Sequence, residues 1–220
     1  LVLIIISNTA VRIETFGDLF NFEDIYLQNF STVVTLLAII TAMNAVNMMD
    51  GKDGLASGIS LVVFSSVLYM ASVASMQGFI NLSLLYIIII IPFIIYNLSK
   101  NKVFMGDSGA LFLGLGIVLI LIRSSQGEFT IMRPVTVLWI FSLPLIDIVS
   151  VVLLRFIKGA SPFLPDTNHM HHHLGCMFQI SDKKVTLMLV TFSSLMAALG
   201  IVADKNNVSE WIMFLGFIVI

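Results

Sequence analysis

Charged side chains are scarce in this sequence. Asp, Glu, Lys and Arg make up 11% of its 220 residues, whereas 58% of the residues are hydrophobic and the mean hydropathy is +1.03. Because soluble domains carry about 25% charged residues, this chain has too little polar surface for water. The predicted class is an all-α, polytopic membrane helix bundle that forms one integral membrane domain over residues 1–220. A soluble all-α core is the alternative.

Cysteine and an excess of basic charge are also lacking. Cys176 is the only cysteine, which excludes an internal disulfide framework. The net charge of −2 offers no basic surface for a nucleic acid, so we expect no such partner. No signal peptide is recognisable at the start. Because the chain begins without Met and ends within an apolar run, we expect a fragment of a longer protein.

Long apolar runs are abundant instead. A helix needs about 20 apolar residues to cross the hydrocarbon core of a bilayer, and the runs predict seven to eight spans, the first and last of them partial. They lie near residues 1–11, 31–48, 55–74, 82–98, 108–123, 134–154, 184–203 and from 210 onward. Small residues let helix backbones approach, so we expect close contacts at Gly106, Gly109, Gly114 and Gly116.

Three polar loops, at residues 44–58, 99–109 and 155–183, are separated by two spans each. They must therefore open on the same face of the membrane. Seven Lys and Arg residues lie on that face and four on the other, so the positive-inside rule places the loops in the cytoplasm. The seven are Lys52, Lys100, Lys102, Arg155, Lys158, Lys183 and Lys184, and the four are Arg12, Arg123, Arg133 and Lys205.

The first loop, NAVNMMDGKDGLASG, has a polar side chain at every third position: Asn44, Asn47, Asp50 and Asp53. On a helix this spacing keeps neighbours on one stripe, until the two glycines loosen the backbone. The stripe would bring amides and carboxylates to one point at the membrane edge. The alternative is a polar turn in which Asp50 and Asp53 cap the following helix.

The second loop, VFMGDSGALFLG, places Asp107 at the start of a helix. Taken alone, Asp107 is either an N-cap or a functional carboxylate. A helix N-terminus favours phosphate, but a carboxylate there repels phosphate unless a cation lies between them. Asp107, facing Asn47 and Asp50, offers the oxygen ligands that Mg²⁺ takes, with the remaining positions left to water and substrate phosphates.

The third loop contains all four histidines within PDTNHMHHHL: His169, His171, His172 and His173. A zinc site is one interpretation, although the usual cysteine partners are absent. Imidazoles that donate to phosphate or sugar, or that transfer protons, are a second interpretation, and a solvated polar loop is a third.

Asp147 lies apart from these loops, within a predicted span. An ionisable group there is a functional candidate, with a buried carboxyl bonded to a neighbouring helix as the alternative. A secondary transporter would place its acids near the membrane midplane on broken helices. Nearly all the acids of this chain lie near one face or the other, and this distribution argues against a transporter. Transport is therefore only the alternative function.

The three motifs NAVNMMDGKDGLASG, VFMGDSGALFLG and SPFLPDTNHMHHHL, in this order and spacing, resemble the polyprenyl-phosphate N-acetylhexosamine-1-phosphate transferase superfamily, glycosyltransferase family 4. The segment SPFLPD favours the bacterial branch that uses undecaprenyl phosphate and UDP-N-acetylglucosamine. The resemblance implies an enzyme in which undecaprenyl phosphate attacks the β-phosphate of the UDP-sugar and UMP is released. Another UDP-N-acetylhexosamine is the alternative donor.

The resemblance further implies Mg²⁺, with Mn²⁺ as an alternative ion, and a multi-pass protein of the bacterial inner membrane with a cytoplasmic active site. Its product would enter a surface polysaccharide such as an O-antigen, and a homodimer is an expected assembly. Members carry an adjacent pair of aspartates in an earlier cytoplasmic loop, and this sequence has no Asp-Asp pair. We therefore expect the 220 residues to be an inactive C-terminal part of a longer, active transferase.

The resemblance also implies roles for individual residues. Asp107 binds the metal with help from Asn47, while Asp53 and Phe104 contact the uracil. The histidine loop closes over the sugar phosphate. The candidate catalytic residues are Asp50, Asp53, Asp107 and His169, and the candidate substrate-binding residues are Asn44, Asn47, Asp53, Phe104, His169, His171 and His172.

Overall fold

A computed structural model of the chain describes residues 11–99, 103–157, 159, 174, 177 and 179–220. These residues form α-helices and short turns, and the one β-type pairing among them is an isolated bridge between Thr15 and Tyr26. The all-α class is therefore confirmed. The helices are α1 (Ser31–Met49), α2 (Leu55–Val73), α3 (Gln77–Asn97), α4 (Gly106–Ser125), α5 (Pro134–Ile140), α6 (Ser142–Ile157), α7 (Asp182–Lys205) and α8 (Glu210–Ile218).

Five of these helices, α1 to α4 and α7, are long and apolar enough to cross a membrane. Helices α5 and α6 make a sixth candidate when they are taken together. The membrane helix bundle is confirmed, with five or six spans in the described residues where the sequence predicted seven to eight over the whole chain. The partial span predicted at 1–11 lies outside these residues except for Val11, and the one predicted from 210 is the nine-residue helix α8.

The span predicted over residues 134–154 is broken into two helices in the structure. The chain breaks at Phe141, and the axes of α5 and α6 are bent by 83°. Pro144 lies in the first turn of α6, where its missing N–H costs nothing because first-turn amides have no partner within the helix. A proline that the sequence placed inside a span therefore stands at the start of a new helix.

The core forms where helices approach closely. Helix α1 packs on α4, and α2 packs on both α3 and α7. A Cβ atom on Gly114 would lie 2.8 Å from the Cα atom of Met43, so the α1–α4 contact requires glycine there. The predicted close contact is also present at Gly116, which abuts Tyr86, but nothing lies within 4 Å of a Cβ atom on Gly106.

The outer surface of the bundle is strongly apolar. On α3, for example, Leu85, Ile88 and Ile95 are more than half exposed. Large exposed apolar surfaces mark contact with a partner or with lipid. Together with the length of the helices, this surface agrees with a protein that lies in a bilayer.

The polar connections are sorted between the two ends of the bundle. At one end, the turn after α1 contacts both the end of α3 and the start of α7. At the other end, Gln126 bonds to the backbone of Glu14 and Thr15, and Arg133 pairs with Asp204. The described parts of the three polar loops therefore meet at the same end, as the spacing of the spans predicts.

Candidate functional site

The polar residues that follow α1 lie in a tight turn, residues 50–54. Helix α1 ends at Met49, and the N–H of Asp50 bonds back to the carbonyl oxygen of Asn47 at 3.2 Å. Gly54, with a φ of +75°, is the N-cap of α2, and no side chain caps that helix. The helical stripe therefore includes Asn44 and Asn47 and ends at Asp50, one residue before the first of the two glycines that were expected to loosen the backbone. The N-cap position of α2 belongs to Gly54 and not to Asp50 or Asp53.

The two asparagines of this motif differ in their surroundings. Asn44 is exposed, and its Nδ2 atom donates to the carbonyl oxygen of Ile40 in the same helix at 2.8 Å. Asn47 is half-buried, and its Oδ1 atom is fully buried with no hydrogen-bond partner among the described residues. Buried polar atoms are nearly always paired, so the Asn47 oxygen is a position where a ligand can bind.

Asp50 lies close to both of the other motif carboxylates. Burial and the negative charges of Asp107 and Asp53 together raise the pKa of Asp50 to about 6, although a hydrogen bond from the backbone of Gly106 lowers it. The structure thus brings Asp50 and Asp107 together from loops more than fifty residues apart, as we expected. A pocket of repelling carboxylates of this kind favours a cation or a proton.

Asp107 and Phe104 flank Gly106 at the start of α4. The N-cap of α4 is Met105, whose own side chain does not cap the helix, so Asp107 lies in the first turn without serving as the N-cap. Asp107 is exposed, and the ring of Phe104 is 74% exposed. An aromatic ring that projects beside carboxylates can stack on a flat ligand, although the role predicted for it remains a prediction.

Asn97 joins the first two loops, and the sequence did not predict it as a site residue. It is the last residue of α3 and only 4% exposed. Its Oδ1 atom accepts the N–H of Gly54 at 2.6 Å, and its Nδ2 atom donates to the carbonyl oxygen of Val103 at 2.8 Å. Asn97 thus ties the residue after Asp53 to the residue before Phe104. A lone amide at the end of a long apolar helix was the only sequence signal.

The start of α7 contacts the same turn from another side. The Nζ atom of Lys52 forms an ion pair with Asp182, the first residue of α7. One helical turn later, the hydroxyl of Thr186 donates to the carbonyl oxygen of Asp53 at 3.1 Å. The 50–54 turn is therefore held between α3 and α7.

Two other predicted features lie apart from this cluster. Asp147 is 2% exposed, on α6, and it is engaged in interactions within the protein. The histidines at 169, 171, 172 and 173 lie outside the described residues, and so do the contacts predicted for them.

The donor set fits an open magnesium site better than an enclosed metal site. Among the described residues, no three His, Cys, Asp or Glu side chains are arranged to hold an ion. Mg²⁺, however, usually binds through one or two carboxylates and keeps its other positions for water and phosphate. The unpaired oxygen of Asn47 and the carboxylates of Asp50 and Asp107 suit that mode.

An open groove lies beside these residues and does not contain them. It measures about 920 Å³ and runs between α2, α7 and the end of α3. Gly54, Leu98 and Lys183 border it, but the rest of its lining is mainly apolar. The polar chemistry is thus concentrated in the loops and not in the groove.

Comparison with known proteins agrees with the motifs. The profile described as glycosyl transferase family 4 matches residues 1–125, more than half of the chain. A protein of Yersinia pestis is 34% identical over 217 residues, which cover 95% of this chain and 58% of that protein. Proteins of Escherichia coli K12 and Haemophilus influenzae are also 34% identical, over 94% and 100% of this chain and 57% and 63% of their own lengths.

All three relatives have the same name, undecaprenyl-phosphate alpha-N-acetylglucosaminyl 1-phosphate transferase. The chain spans about three fifths of the length of these curated relatives.

Proposed function

The chain belongs to glycosyl transferase family 4, and we propose that it transfers N-acetylglucosamine 1-phosphate from UDP-N-acetylglucosamine to undecaprenyl phosphate. An oxygen of the lipid phosphate attacks the β-phosphorus of the donor, the bond from that phosphorus to the bridging oxygen breaks, and UMP leaves. The observation that supports this most is the convergence of Asn47, Asp50 and Asp107 at one end of a membrane helix bundle. The names of the three relatives support the same reaction.

The location of the carboxylate cluster suits a lipid acceptor. The phosphate of such a lipid lies at the membrane interface while its chain stays in hydrocarbon, so the reacting groups meet at the end of the spans. Phosphoryl transfer depends mainly on positioning and on stabilisation of charge. Residues held rigidly at a loop junction can supply both without a covalent step on the protein.

We propose Mg²⁺, or Mn²⁺ in its place, as the ion of this site, held by Asp107 and Asn47 with Asp50 beside them. When bound, the ion would neutralise charge on the diphosphate oxygens of the donor. The protein's own contribution is to keep three carboxylates close together despite their repulsion. The raised pKa of Asp50 is a sign of that repulsion and of burial.

For the donor, we propose that Asp53 and the exposed ring of Phe104 bind the uracil. We propose sugar-phosphate contacts for His169, His171 and His172. The site would face the cytoplasm at the bacterial inner membrane, and its product would enter a surface polysaccharide. A homodimer is part of the same proposal.

The decisive experiment follows UMP release by protein expressed from its complete reading frame, with undecaprenyl phosphate, UDP-N-acetylglucosamine and Mg²⁺ in detergent. We expect release that needs both lipid and metal, and a loss of at least about a hundredfold in Asp107→Asn, since a metal ligand is worth several kcal/mol to the transition state. Asp24→Asn, an exposed change at the opposite end of the bundle, should release UMP at the normal rate. Folded protein that releases no UMP from any UDP-sugar would refute the proposal.

Transport is the second candidate, because one specific observation favours it. The span broken at Phe141 is followed by the buried carboxyl of Asp147, and secondary transporters use broken helices near their ion sites. Uptake of a UDP-sugar or a cation into sealed vesicles, without UMP release, would support transport. We expect UMP release and no uptake.

A further inference from the structure

The position of Asp50 and Asp53 depends on contacts from outside their own turn. The turn contains Gly51 and Gly54, and glycine leaves the backbone free to adopt many conformations. No side chain caps the helix that follows. Contacts from neighbouring elements therefore contribute to holding the carboxylates in one place.

Lys52, between the two aspartates, makes one such contact. Lysine is rarely buried unless it is paired, yet the side chain of Lys52 is only 10% exposed. Its ammonium pairs with Asp182, which is 130 positions away in the sequence. Asp182 is the first residue of α7, where the helix dipole stabilises a negative charge. This interaction also stabilises the Asp182 carboxylate at this position.

Thr186 makes the next contact from the same face of α7. Residues four apart on a helix are neighbours on its surface, so Asp182 and Thr186 meet the turn side by side. The Thr186 hydroxyl bonds the backbone carbonyl oxygen of Asp53 at 3.1 Å. The start of α7 thus contacts two consecutive residues, Lys52 and Asp53.

We propose that the start of α7 is a positioning element for the site, and that Lys52, Asp182 and Thr186 are its positioning residues. Through them α7 sets the position of Asp53, while Asn97 bonds to the next residue, Gly54. This inference rests on the proposed function and deepens it. It adds three residues, none of which binds substrate or metal, that determine how well the donor is bound.

The test compares the kinetics of UMP release in paired variants, using protein from the complete reading frame. Lys52→Met and Asp182→Asn should each raise the KM for UDP-N-acetylglucosamine about two- to fivefold, the range expected for an ion pair with one exposed partner. The double variant should be no worse than either single variant, because residues in one contact are not additive. Lys52→Arg keeps the charge and should retain a KM close to the wild-type value.

Substitutions of Thr186 test the proposal independently of the ion pair, with Thr186→Ser as the matched control for Thr186→Val. Thr186→Val keeps the shape but removes the hydrogen bond to Asp53, and should raise the same KM about two- to tenfold. Thr186→Ser keeps the hydroxyl and should not raise it. A role in stability alone would lower the amount of folded protein and its melting temperature, but would leave the KM of the folded fraction unchanged.

The inference is overturned if the single variants keep the wild-type KM, if the effects of Lys52→Met and Asp182→Asn multiply, or if Thr186→Ser behaves as Thr186→Val. Amide hydrogen exchange of residues 50–54 separates this inference from the proposed function. If the wild-type protein releases no UMP, the transferase proposal fails. In that case, faster exchange of residues 50–54 in the variants still supports positioning by α7, and unchanged exchange refutes it.

Discussion

Replacing Asn97 by Leu should damage both stability and donor binding. The side chain is buried, and it satisfies the Gly54 N–H at 2.6 Å and the Val103 carbonyl at 2.8 Å. Leaving a buried donor or acceptor unpaired costs about 1–3 kcal/mol, so the loss of both bonds should cost at least about 2 kcal/mol. At about 2–4 °C per kcal/mol for a domain of this size, the melting temperature should fall by at least about 4 °C.

The assay combines thermal unfolding in detergent with UMP-release kinetics. Since Asn97 ties the turn of Asp53 to the loop of Phe104, we expect Asn97→Leu to raise the KM for the UDP-sugar as well. Asn81→Leu is the matched control, because it makes the same change on the same helix. The amide of Asn81 is exposed and bonds only to Gln77 in the described structure, so that variant should melt within about 2 °C of wild type.

Asn97→Asp separates the two hydrogen bonds. The carboxylate can still accept from Gly54, but it cannot donate to Val103, so its effect should be intermediate. If Asn97→Leu melts within about 2 °C of wild type and keeps its KM, Asn97 does not join the two loops and the reasoning fails. The same conclusion holds if Asn81→Leu is equally damaging.

Two further predictions concern charge and packing. In metal-free protein Asp50→Asn should raise the melting temperature near pH 7.5, because the charged form of Asp50 is disfavoured in the fold, which raises its pKa from 3.8 to about 6. That gain in melting temperature should fade as the pH drops through about 6 towards 4, because Asp50 is then protonated in the folded protein. An equal gain at pH 7.5 and pH 4 would contradict this prediction. Gly114→Ala should cost about 1–3 kcal/mol of stability, since its Cβ atom would meet the backbone of Met43. Gly78→Ala, which has open space, should be neutral or stabilising by up to about 1 kcal/mol, and equal losses in the two alanine variants would refute the packing argument.

The positions of the spans could be predicted from the sequence with good accuracy. Residues 55–74 and 184–203 were predicted as spans, and the structure has Leu55–Val73 and Asp182–Lys205 as helices. A long apolar run must form helix in lipid because its backbone groups find no other partners there. The break at Phe141 was missed, because the apolar run continues through it without a glycine or a charged residue at the break.

The site was predictable in part. The number of intervening spans placed Asp50 and Asp107 on one side, and the structure brings them together. The helical stripe ends with α1 at Met49, where the turn that contains the two glycines begins, so Asp53 lies outside it. Asn97 was overlooked, since an amide at a helix end has no motif of its own until its partners are known.

The sequence by itself determined that this protein is a bundle of membrane helices, and it predicted that three polar loops open on the same face. Apolar content and run length act locally, so they can be read residue by residue. Only the tertiary structure decided that Asn97 holds two loops together, that Lys52 pairs with Asp182, and that the oxygen of Asn47 is left without a partner among the described residues. Such contacts depend on how distant helices pack against each other, and the spacing of residues along one chain does not specify that packing.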